Sequence, residues 1–138
     1  MIDKLHGLGL LALALGKAGQ LDQGLTRIGD AVKGAKKMPT NFFTSMLYLI
    51  KGQLLLMKSA SGVRKAKQCF STAIEIARSQ NARCEELAAA IQMARVLARQ
   101  GHRDQARSML KRKYSWFTEG FDTADLKEAK ALLDELSG

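Results

Sequence analysis

One pattern of small and large apolar residues occurs three times in this chain, at a spacing of about forty residues. Its first copy reads Leu8, Leu11, Ala12, Leu15, then Gly24, Ile28, Ala31. The second reads Tyr48, Lys51, Gly52, Leu55, then Ala66, Phe70, Ala73. The third reads Ala90, Met93, Ala94, Leu97, then Ala106 and Leu110. Corresponding positions lie 40 or 42 residues apart. Within each copy most residues fall three or four apart, the spacing of one helix face. A fixed period of this size marks stacked helical hairpins, each of which needs its neighbours to cover its apolar side. Such arrays present surfaces to partners more often than they carry chemistry.

Composition agrees with helices. There is a single proline, and Leu and Ala far outnumber Val and Ile. Hydrophobic residues make up 46% of the 138, and charged residues 25%, as in a globular chain of one domain. The net charge of +9 is unevenly placed. Residues 119–138 hold six acidic and two basic side chains, and the preceding 118 residues hold 20 basic and seven acidic. The basic part suits an acidic peptide, nucleic acid or an anionic membrane, with a solvated basic surface as the plain alternative.

Cys69 and Cys84 lack CxxC spacing, and two cysteines with two histidines make no metal-ligand set, so no cofactor is expected. Two reduced thiols point to the cytoplasm. The apolar run Leu8–Leu15, preceded by Lys4 and His6, loosely resembles a short signal peptide. The same run fits the first helix in register with the later repeats, which favours the helix. It is too short to span a bilayer.

The spacing predicts a helix over 4–17, broken by Gly19, with Asp22 as the next cap. A second helix is expected over 23–36, although Gly24, Gly29 and Gly34 each weaken it by about 1 kcal/mol relative to Ala. Close packing against the first helix is the expected compensation. Pro39 marks a junction, with Thr40 or Asn41 capping a helix over 42–58. Further helices are expected over 63–80, 83–100 and 103–117. A last helix, capped by Asp122 or Thr123, should bury Leu126, Ala129, Leu132, Leu133 and Leu136. Its acidic, polar-backed character suits a lid on the open end of a stack.

The segments Tyr48-x₂-Lys51-Gly52-x₂-Leu55 and Ala66-x₃-Phe70-x₂-Ala73, with the turn Gly101-His-Arg-Asp-Gln-Ala106, resemble tetratricopeptide repeats. The resemblance implies an all-α, tetratricopeptide-like superhelix of three helix pairs plus a C-terminal capping helix. The repeats would span about 4–37, 41–80 and 83–117, with the cap at 123–136, in one domain over 1–138. Gly24 stands where the family expects alanine, Lys113 where it expects a small residue, and no repeat ends in the usual proline. The stretch from Lys51 to Leu56, the run Ala66 to Ala82 and the ending from Trp116 to Leu133 are also similar to the C-terminal helical repeats of bacterial signalling ATPases. Many of those carry an adenylate cyclase domain. No GxxxxGK[ST] loop and no cyclase-like acidic pair occurs here, so only an interaction role in signalling or regulation carries over.

In such a superhelix the first helix of each pair lines a concave groove. Leu13 and Lys17, then Met46, Leu49, Gln53 and Met57, then Gln92, Arg95 and Arg99 fall on it. Met46 and Met57 fit core packing as well. Arg95 and Arg99 lie four apart and can grip the acidic end of a bound peptide or partner protein. The alternative pairs them with Glu85, Glu86 or the acidic last helix. The basic residues Arg103, Arg107, Lys111, Arg112 and Lys113 read as a solvated helix face or, as a second reading, a nucleic-acid surface. The uncovered first helix suggests a third reading, homodimerisation. His6 and His102 lie in different repeats and no catalytic arrangement is evident, so no enzymatic activity is expected. The chain then reads as a free-standing adaptor or the repeat domain of a larger regulator.

Overall fold

The computed structural model describes residues 2–36, 44–58, 62–117 and 123–137. These form seven α-helices, and the described residues contain no strand. The helices are α1 (Ile2–Lys17), α2 (Leu21–Lys36), α3 (Thr44–Lys58), α4 (Val63–Ser79), α5 (Arg83–Arg99), α6 (Arg103–Tyr114) and α7 (Ala124–Ser137). The expected junction around Pro39, with Thr40 and Asn41, lies outside the described residues, as do Ser59–Ser61 and Asp122.

Three of the helices end in the same way. Gly19 and Gly101 have φ of 86°, and Asn81 has φ of 55°. The next amide in each case reaches back five residues, from Gln20 to Leu15, Ala82 to Ala77 and His102 to Leu97, each at 2.8 Å. This closure satisfies carbonyls that a helix end leaves open, and it needs a left-handed residue that Gly or Asn supplies. Helix α2 starts at Leu21, so Asp22 lies in its first turn and is not its cap. The negative charge there suits the helix dipole. Helix α6 stops at Tyr114, short of the expected Phe117.

Packing follows the small-and-large register. Gly24 of α2 sits so close to α1 that an added Cβ would lie 2.7 Å from the Ala12 carbonyl oxygen. That accounts for glycine where alanine was expected. In the next pair, a Cβ on Gly52 would lie 2.4 Å from the Phe70 ring. Ala66, Phe70, Ala94, Ala106 and Leu110 are all fully buried. The buried Ser45 hydroxyl donates to the Ala73 carbonyl at 2.9 Å, tying α3 to the α4 backbone. Two glycines outside the repeat pattern also matter. Gly9 and Gly16 let α1 approach Leu47 and Leu54 of α3.

Each helix packs on its neighbour in sequence. In addition α1, α3, α5 and α7 approach one another in succession, whereas the backbones of α2, α4 and α6 stay apart. The core forms two clusters. One joins α1, α2 and α3 around Ile28, Leu47 and Leu54, and the other runs from α3 to α7 around Phe70, Leu87, Ile91 and Leu110. Tyr48 packs against both. Leu126, Ala129, Leu132 and Leu136 of α7 are buried over the end of the second cluster, with Leu133 partly so.

Close packing accounts for Gly24 but not for Gly29, where an added Cβ would meet nothing within 4 Å. The two positions therefore respond oppositely to alanine. Gly29→Ala should stabilise the fold by about 0.5–1 kcal/mol through reduced backbone freedom of the unfolded chain. Gly24→Ala should destabilise it by about 1–2 kcal/mol through overpacking. Urea denaturation of the two variants checks this, and a shift of the same sign in both would contradict the packing argument.

Candidate functional site

The expected groove residues lie on helices α1, α3 and α5, which approach one another in succession. Met46, Leu49, Gln53 and Met57 follow each other at three- and four-residue steps on α3, and Glu85, Ala88, Gln92, Arg95 and Arg99 do the same on α5. A depression of about 270 Å³ opens where α3, α5 and α7 meet. Ser45, Met46 and Leu49 line one side, Cys84, Glu85 and Ala88 another, and Asp125 closes it from α7. Met46 and Leu49 are half-buried, resting on the first and second core clusters respectively, so both are fixed in place and keep part of their surface open. Met57, Lys17 and Arg99 are exposed, while Leu13, Gln53 and Gln92 are half-buried. The structure thus brings Met46 and Leu49 into one depression. Of the other expected residues, Leu13 and Lys17 lie on α1, Gln53 and Met57 on α3, and Gln92, Arg95 and Arg99 on α5, all outside its lining.

Of the two readings of the arginines, the structure shows an ion pair to the last helix for Arg95. Arg95 pairs with Glu128 of α7, with both side chains about 40% exposed. That pair engages Arg95 with the acidic last helix, while Arg99 is exposed and meets no carboxylate among the described residues. Beside it, burial pushes the Asp125 carboxyl above its ordinary value of 3.8, and the neighbouring carboxylates of Glu128 and Glu85 push it further. This part of the face is therefore acidic, and a cationic group placed there would relieve the crowding. The sequence hint was the acidic C-terminal helix, but which residues it meets depends on how α7 lies across α5.

A second charged arrangement lies on the other side of α5. Lys113 is 6% exposed, and its ammonium donates to Glu86 at 2.5 Å, itself 2% exposed. Arg78 reaches the same Glu86 oxygen at 3.5 Å. The Lys113 and Arg83 cations stand 5.1 and 5.6 Å from the Trp116 ring centroid, within cation–π range. Lys113 is thus no part of a solvated basic face. Its stem takes the place of the expected small residue, and Glu86 neutralises its head.

Cys69 is buried, and burial pushes its thiol up, against the opposing pull of Lys51. It stays protonated near neutral pH and is a poor nucleophile. Cys84 is free and exposed. Among the described residues no three His, Cys, Asp or Glu side chains cluster as metal ligands, and no helix is long and apolar enough to cross a membrane. No family model, curated protein or solved structure matches the chain.

The raised Asp125 value has a definite sign. The folded state holds this proton more tightly than the unfolded chain, so ionisation costs stability. The loss sets in as pH rises above about 3.8 and is complete above the raised folded value. Asp125→Asn should therefore gain on wild type across that window, by less than about 1 kcal/mol because solvent screens a partly exposed group. Urea denaturation of both proteins as a function of pH reads this. A gap that shrinks with rising pH would contradict it.

Proposed function

We propose that this chain is a tetratricopeptide-like superhelix acting as a protein–protein interaction scaffold in bacterial signalling or regulation, in the cytoplasm. Its partner is a peptide or peptide-like segment held along the odd-helix face. The backbone arrangement supports the superhelical reading. Helices that approach each other in succession lie on the inside of a curve, and helices that splay apart lie on its outside. The face with Met46, Leu49, Gln92 and Arg99 is then concave, as the repeat register expects.

The observation that carries the binding role is the depression among Met46, Leu49, Ala88 and Asp125. Its apolar walls suit an aliphatic or aromatic anchor, and methionine adapts to varied shapes. Its rim of Glu85 and Asp125, beside Glu128, suits a cationic group next to that anchor. Arg99 remains for an acidic end further along. Selection from a random peptide library, followed by calorimetric titration, should yield sequences with an apolar residue flanked by Lys or Arg. Ala88→Arg fills the depression from its half-exposed position and should weaken them by about tenfold or more, with the helix content and melting temperature unchanged. Equal affinity in the variant would remove the site.

Self-association through α1 is a second reading. Leu10 and Leu11 are 52% and 45% exposed on this helix. Light scattering should then give a concentration-dependent dimer that Leu10→Lys/Leu11→Lys dissociates, and a monomer at all concentrations removes this reading.

A further inference from the structure

Helices α4 and α6 both pack on α5 but not on each other. The gap between them is a groove of about 700 Å³ with Met93 and Leu97 of α5 among its lining, flanked by Ile74 of α4 and Met109 of α6. A second depression of about 570 Å³ shares Lys67, Ser71 and Met93 with it and continues towards Arg64 and Gln100. The two make one continuous trough on the side opposite the odd-helix face.

Its charge is of one sign. Arg64, Lys67, Arg78, Arg112 and Lys113 line the trough, and no carboxylate does. Glu86 lies behind the wall at 2% exposure, with Lys113 and Arg78 already on it. Among the described residues neither Arg64 nor Arg112 meets a carboxylate, and Lys67 reaches only the Gln100 amide, at 3.0 Å. The trough therefore joins a narrow apolar floor, where Ile74, Met93 and Leu97 are 5–9% exposed beside a half-buried Met109, to a cationic rim with unspent charge. From Arg64 to Arg78 the α4 wall rises fourteen residues, about 21 Å at helical pitch.

We propose that this trough docks an acidic amphipathic segment of a partner protein, its apolar side chains on Ile74, Met93, Leu97 and Met109 and its carboxylates on the flanking Lys and Arg. Two features favour a peptide over nucleic acid. The floor is aliphatic and thioether surface, which a sugar-phosphate chain cannot use. The one aromatic ring at the trough, Trp116, is already faced by Arg83 and Lys113, so base stacking would have to displace two cations. The site is separate from the odd-helix depression and does not rest on it.

Trp116 is the chain's only tryptophan and is 40% exposed at one end of the trough, so its fluorescence reports occupancy directly. The probe is a synthetic peptide of about fourteen residues with Leu at helical i, i+3, i+4, i+7 spacing and Glu at most other positions. It should give a saturable change in Trp116 emission. Lys67→Glu/Arg112→Glu, two side chains outside the buried ion pair, should weaken it by about tenfold or more with an unchanged thermal melt. Arg112→Glu alone should weaken it less. Ala88→Arg, on the other face, should leave it intact, so failure here and failure of the odd-face reading are distinguishable. Absence of a saturable change overturns the proposal, as does equal binding of a polyglutamate of the same length. Tighter binding of a random-sequence single-stranded oligonucleotide overturns it in favour of a nucleic-acid groove.

Discussion

The contact on which the array depends is the close approach of paired helices at a small residue. Gly24 lies against the Ala12 carbonyl, Gly52 against the ring of Phe70, and Ala106 is wholly enclosed in the same core as Ala94 and Leu110. Each brings two helix axes near enough for the larger residues one turn away to interlock. Dispersion is short-ranged, so a gap of even half an ångström forfeits much of it. The same device recurs between pairs, where Gly9 and Gly16 admit Leu47 and Leu54. Burial of Ile28, Phe70 and Leu110 follows from these approaches and would be lost without them.

That constraint also sets what the two sides of the array can offer. Odd-numbered helices approach one another in succession, and a small depression opens where α3, α5 and α7 meet. The backbones of the even-numbered helices stay apart, so α4 and α6 leave a trough with α5 at its floor, where Met93 and Leu97 are 9% and 5% exposed. The charges segregate accordingly. The acidic helix α7 lies along the odd side and sets Asp125 and Glu128 beside Glu85 and Arg95. Lysines and arginines of α4 and α6 line the other side. A chain that is strongly basic overall thus carries one locally acidic patch and one trough lined by cations, two of them paired with Glu86.

Much of the helical framework was legible in the residues. The helix ends near Gly19 and Gly101, the buried stripe of α7 and the small-and-large positions Gly52, Ala66 and Phe70 all follow from spacing, because helical periodicity and turn chemistry are local. Lys113 was legible as an oddity, a charged residue in a small-residue position, but its buried partner was not. Glu86 lies 27 residues away, and only the packing of α5 on α6 puts the two together. Arg95 behaves likewise. Its pairing with Glu128 was one of several open partners, and the choice rests on where α7 crosses α5. Gly29 is the converse case, since a rule that accounts for Gly24 extends to it by analogy while the space around it is open.

By itself, then, the amino-acid sequence determined that the chain is helical, where most helices stop, and which residues face inward. Those properties depend on interactions within a few residues, and on a periodicity that repeats often enough to be read. Only the tertiary structure decided which charges meet. Electrostatic pairing and groove shape depend on how helices far apart in the chain are set against each other. An angle or offset of a few ångströms changes which carboxylate an arginine reaches, and leaves the periodic pattern untouched.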